Sequence, residues 1–137
     1  MAPIWNLYDI SLMMNGSTTK SLIKQLDDLV RQKVKARDDY KCQACGSFGV
    51  EHDLCHYIGR SNKAVRWDLD NLLVMCRTCH IEMDHAHATK FKDFFIRRLG
   101  DDLYYALKSR ERTHFKTSEV NLKAALEALR NGAENYV

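Results

Sequence analysis

"DNLLVMCRTCHIEMDH", residues 70–85, places an asparagine, an apolar run, two cysteines and a histidine in one short segment. The fold depends on whether these donors belong to one metal site or to two. A second C-x-x-C pair, Cys42 and Cys45 in "YKCQACGSFG", supplies part of the answer. Structural zinc takes four ligands tetrahedrally, and two C-x-x-C turns separated by an intervening subdomain are a common way to provide them. Cys42, Cys45, Cys76 and Cys79 complete such a shell. His80 is then left outside it, on the first turn after the second pair, with its imidazole available for another role. Gly46 and Gly49 give the first pair the composition of a tight knuckle.

The 137-residue chain is 45% hydrophobic and 28% charged, which suits one domain with one modest core. No apolar run approaches the roughly 18 residues that a membrane span needs. The opening "MAPIWNLYDISLMMNG" lacks the basic start and continuous apolar stretch of a signal peptide, so a cytoplasmic protein with no membrane partner is expected. Five cysteines are an odd number, and four of them sit in C-x-x-C pairs, which favours reduced thiolates on metal over disulfides. The net charge of +3 is compatible with an anionic partner without requiring one.

Residues 1–17 form an N-terminal arm with no assigned structure, and residues 18–137 a single domain. From Thr18 or Thr19, Leu22, Ile23, Leu26, Leu29, Val30 and Val34 recur at the three- and four-residue steps of a helix face. Short strands are expected around "HDLCHYI" and "NLLVM", joined by the basic loop "GRSNKAVRWDLD". After Cys76 the pattern is helical, with Phe91, Phe94, Phe95 and Leu99 on one side and Gly100 as a cap. Further helices begin at Asp101 or Asp102 and near Ser118, the last ending at Gly132. The fold class is therefore α+β, mainly helical.

"CHYIGR", "DNLLVMC" and "CRTCH" resemble the three segments of an HNH nuclease, the zinc-supported branch of the ββα-metal (His-Me finger) endonucleases. The likeness covers about residues 36–92, flanked by the N-terminal helix and by C-terminal helices over about 93–132. The wider frame, from "LIKQLDDLVRQKVKARDDYKCQACG" to "FKDFFIRRLGDDLYYALKSR", resembles phage recombination endonucleases of the NinG/Rap type, which act on branched DNA. The resemblance implies a metal-dependent DNA endonuclease working in a bacterial host on Holliday junctions or D-loops. In it His56 is the general base, Asn71 braces the loop between the strands, and His80 holds the catalytic cation, Mg²⁺ or Mn²⁺. NinG/Rap proteins usually carry asparagine where this chain has His80, and imidazole suits manganese, nickel, cobalt or zinc better than magnesium, so the departure leaves the metal preference open.

Cys55 stands where HNH nucleases often place a second metal ligand, and it is read first as a small strand residue and second as a ligand. Asp84, four residues beyond His80, shares its helical face and is a further candidate ligand. His85 and His87 are expected in solvent, and Tyr57, Trp67 and Tyr104 in packing. Arg60, Lys63 and Arg66 on the loop, with Lys90, Lys92, Arg97 and Arg98 on the following helix, are the expected phosphate contacts. Two other readings compete: a duplex-nicking HNH enzyme of homing or packaging type, and a zinc-knuckle DNA-binding protein without catalysis. Resolution of a junction takes two symmetric nicks, which a homodimer would suit.

Overall fold

The apolar stripe of the first helix sets one wall of the protein. In the computed structural model, which describes residues 18–137, α1 spans Thr18–Arg37 and buries Leu22, Leu26, Val30 and Val34. The arm of residues 1–17 lies outside the described residues. The chain continues through β1 (Asp53–His56), a 3-10 turn (Leu69–Asn71), β2 (Leu72–Met75), α2 (Arg77–His85), α3 (Ala88–Leu99), α4 (Asp101–Glu111) and α5 (Glu119–Arg130). The described residues are thus mainly helical, with a small two-stranded sheet. Both strands fall inside the segments expected for them. The helical run expected after Cys76 divides in two, because Ala86 and His87 adopt extended backbone between α2 and α3.

β1 and β2 pair antiparallel, with Asp53 opposite Met75 and His56 opposite Leu72. All of β2 is buried, which explains its unbroken apolar sequence: a strand covered on both faces has no polar side to alternate. Leu72 and Val74 join a cluster with the apolar face of α1, Leu122, Ala125, Leu126 and Leu129 of α5, and Trp67. Leu73 and Met75 join another with Cys55, Val65, Phe95, Tyr104 and Leu107. The single core anticipated from composition is therefore two clusters on opposite sides of one sheet. Trp67 and Tyr104 are buried, and Tyr57 stacks on Phe95 at 4.2 Å, so all three aromatics pack as expected.

The edge of β2 away from β1 is closed by the end of α1 and the first cysteine knuckle. Val74 donates its N–H to Asp38 Oδ2 at 3.0 Å and accepts from the backbone N–H of Gln43 at 2.9 Å. Arg37 donates to the carbonyls of Leu69 and Leu72 at 2.8 and 2.6 Å. Asp39 and Tyr40 leave α1 through left-handed backbone, φ 54° and 57°, which turns the chain sharply into the knuckle. A Cβ at Gly49 would lie 2.5 Å from the His52 ring, so a larger residue there would force that side chain to move. No helix among the described residues is long and apolar enough to cross a membrane.

Leu26 has no exposed surface at the centre of the α1 stripe. Leu26→Ala is expected to lower the unfolding free energy by about 2–5 kcal/mol. Urea denaturation checks this, and the midpoint should fall with little change in slope.

Candidate metal centre and adjoining groove

The four cysteine sulfurs of Cys42, Cys45, Cys76 and Cys79 lie within 4.8 Å of one another. Cys45 and Cys76 are 3.9 Å apart, close to the edge of about 3.8 Å in a tetrahedron built from zinc–sulfur bonds of about 2.3 Å. Each C-x-x-C turn also aims a backbone N–H at its first sulfur: Cys45 to Cys42 and Cys79 to Cys76, both at 3.4 Å. The group can therefore hold a metal ion such as zinc. Hydrogen bonds from the side chain and backbone of Ser47 draw the exposed Cys45 thiol down to about 6. Burial and the neighbouring sulfurs push Cys79 up. A bound cation would supply charge that favours the thiolate form of such a sulfur cluster. His80 lies outside this cluster, as the spacing predicted.

His56 ends β1, half-buried, with Nε2 3.1 Å from the carbonyl oxygen of Arg66. A carbonyl can only accept, so this geometry assigns the ring proton to Nε2 and leaves the lone pair on Nδ1. Burial, then the charge of Arg60, lowers its pKa to about 4, so the ring is neutral at pH 7. Asn71 is fully buried and spends its amide on the loop between the strands. Its Oδ1 accepts from Ile58 N–H at 2.7 Å, and its Nδ2 donates to the carbonyls of Ile58 and Val65, both at 3.0 Å. That loop carries the Arg66 carbonyl, so Asn71 fixes the group against which His56 rests.

His80 sits on the first turn of α2, where Cys76 is the N-cap. Its Nδ1 is 3.0 Å from Asp53 Oδ2, and its Nε2 is 3.5 Å from Asp84 Oδ2. Asp53 also accepts two bonds from Arg77, at 2.7 and 3.0 Å. Those bonds first, and His80 second, hold its carboxyl below the usual carboxylate range. With Nδ1–H donated to Asp53, a neutral His80 turns its Nε2 lone pair toward Asp84. Ligand atoms about 2.1 Å from one ion stand roughly 3.0–3.4 Å apart, so Nε2 and Asp84, at 3.5 Å, are slightly wider than two ligand positions around one divalent cation. Asp53 would then orient the imidazole from behind, an arrangement common around metal-bound histidines. Sequence reasoning missed Asp53. Its available signal was strand register, which sets it opposite Met75, next to the start of α2.

The two histidines occupy adjoining parts of one groove along β1. Arg31, Asp53, Leu54, Arg77, His80, Ile81 and Asp84 line the wider part, an open volume of about 420 Å³. Asp27, Val30, Arg31, Leu54, His56 and Arg60 line the narrower part. Arg31 and Leu54 belong to both.

Other expected site residues divide between interior and surface. Cys55 is fully buried in the second cluster, and burial pushes its thiol up to about 12, so it packs as a neutral strand residue. Arg66, expected to contact phosphate, instead grips Asp27 with bonds of 3.1 and 2.8 Å, and Trp67 Nε1 donates to the same carboxylate at 2.8 Å. Arg98, expected likewise, is bound to Asp38 at 3.0 Å and Gln43 at 3.3 Å. Both guanidiniums are only partly exposed and are committed to holding elements together. Arg60, Lys90, Lys92 and Arg97 are exposed, Lys63 is half-buried, and His85 and His87 face solvent.

Two outcomes follow for the purified protein. Elemental analysis should find one bound zinc per chain, lost in Cys76→Ser with a fall in thermal stability and retained in Cys55→Ser. His56 should make stability depend on pH, because its folded pKa of about 4 lies below the ordinary 6.5. Between those values the unfolded chain binds the extra proton, so stability is full above about pH 6.5 and declines as pH falls toward 4. The His56 contribution amounts to about 3 kcal/mol. Denaturation of wild type and His56→Gln across this range measures it as the difference in slope. No family model, curated protein or solved structure matches the chain.

Proposed function

We propose that this protein is a metal-dependent DNA endonuclease of the HNH type, with a structural zinc on Cys42, Cys45, Cys76 and Cys79. The observation that carries the reading is the groove. It holds one neutral imidazole with a free Nδ1 and, beside it, a second imidazole whose Nε2 shares a position with a carboxylate. The sulfur cluster is separate from both rings, so scaffold and reaction centre have different donors.

Hydrolysis of a phosphodiester joins water oxygen to phosphorus and breaks the bond to the departing sugar oxygen. His56 takes the water proton on Nδ1 as the new bond forms, while its Nε2–H stays on the Arg66 carbonyl. Asn71 acts by keeping that carbonyl in place. His80 and Asp84 would hold the divalent cation, which supplies Lewis-acid stabilisation to the phosphate and the leaving oxygen. Imidazole and carboxylate together favour manganese over magnesium. The branched substrate, a Holliday junction or D-loop, rests on the resemblance to NinG/Rap endonucleases. The exposed Arg60, Lys90, Lys92 and Arg97 are suited to backbone phosphates and carry no base-reading geometry.

The test is cleavage of labelled four-way junction, D-loop, flap and linear duplex with Mg²⁺ or Mn²⁺. Metal-dependent cutting with junction preferred is expected, reduced at least about 100-fold in His56→Ala. Absence of metal-dependent cutting, or cutting undiminished in His56→Ala, defeats the proposal. Equal rates on junction and linear duplex would favour a nicking enzyme over a resolvase.

A further inference from the structure

An anion entering this groove meets a nearly balanced set of charges. Arg31, Arg60 and Arg77 line it, and so do Asp27, Asp53 and Asp84. What decides where a phosphate can rest is which guanidinium is uncommitted. Arg77 gives two hydrogen bonds to Asp53, and Arg60, exposed and only 3.6 Å from Asp27 without a hydrogen bond to it, lines only the narrower part. Arg66, behind the narrower part, is locked on the same Asp27. Arg31 is exposed and, among the described residues, makes no ion pair or hydrogen bond. It is also the one cationic side chain that lines both parts of the groove.

We propose that Arg31 of α1 is the phosphate-binding side chain of this groove, holding a phosphodiester between the His56 pocket and the Asp53–His80–Asp84 cluster. The assignment rests on the nuclease reading for its substrate and on the placement of Arg31 for its site. α1 fixes the position from outside the sheet: Val30, the preceding residue, is buried in the α1–α5 cluster, so the backbone at Arg31 is anchored while its side chain is free. One turn earlier Asp27 is already saturated by Arg66 and Trp67, and burial notwithstanding, those bonds lower its pKa. Asp27 therefore stays charged and occupied, and Arg31 keeps its guanidinium for a ligand. A planar fork with several N–H donors matches two oxygens of a phosphate better than an ammonium does. A guanidinium that meets the phosphate as negative charge builds up favours the transition state over the bound substrate.

Two measurements test this on the full chain with its zinc in place. Under single-turnover conditions with Mn²⁺, Arg31→Ala should cut junction DNA about 100-fold more slowly than wild type, with DNA affinity changed by less than about fivefold. Arg31→Lys should recover part of the rate. Without added Mn²⁺, inorganic phosphate titrated into wild type should shift the NMR signals of Arg31 Nε–H and the His56 ring together, and the His56 response should vanish in Arg31→Ala. Unchanged zinc content and melting temperature in the variants exclude misfolding. Cleavage by Arg31→Ala within threefold of wild type overturns the role of Arg31 and leaves the nuclease reading standing. A wild-type protein that cuts no DNA, yet shows the paired phosphate shifts, removes the nuclease reading and keeps the anion site. A His56 response to phosphate that survives in Arg31→Ala overturns the site itself.

Discussion

A strand with both faces covered has no water available to its backbone, so each of its peptide groups must be paired along an edge. β2 is such a strand, and its surroundings follow from that demand. β1 takes one edge and carries Asp53 and His56 with it. On the other edge, the N–H of Val74 requires Asp38 and its carbonyl requires Gln43, which brings the end of α1 and the first cysteine knuckle alongside. The second knuckle begins where the strand stops, at Cys76. The sulfur cluster is thus assembled by pairing a buried backbone, and a metal would lock an arrangement that hydrogen bonds already favour.

The parts legible in the sequence were those encoded by local repetition. The α1 stripe, the unbroken apolar run of β2 and the paired C-x-x-C turns each state their structure within a few residues. The ion pairs were not legible. Asp27 and Arg66 are 39 residues apart, and Arg98 and Asp38 are 60 apart, so nothing near Arg66 or Arg98 in the chain marks them as interior clamps rather than surface cations. Asp53 escaped notice for the same reason, since its partner His80 lies 27 residues on. Nothing in the sequence marks Arg31, because the pockets it borders are built from segments that come together only in the fold.

Charge in the groove is arranged by pairing more than by excess. Three arginines face three aspartates, and each of the two imidazoles beside them has one nitrogen directed at an oxygen acceptor. A backbone carbonyl holds His56 and a carboxylate holds His80, a difference with chemical weight. A carbonyl leaves the ring only as basic as its surroundings permit, whereas a carboxylate enriches the opposite nitrogen as an electron donor. The first suits a group that must release a proton again, and the second suits a group that must keep hold of an ion.

α2 buries none of its residues completely, although it carries His80 and Asp84. Apart from Met83, which packs against the second cluster, its attachment lies in its first turn, where Cys76 is at once cap and sulfur donor, and in the grip of Asp53 on His80 and Arg77. The placement of His80 and Asp84 and the integrity of the core are therefore separable properties of this chain. Mild disturbance of the thiol cluster would let the short helix loosen while the double-sided sheet stayed intact, so His80 and Asp84 would lose their positions at only a modest cost in overall stability.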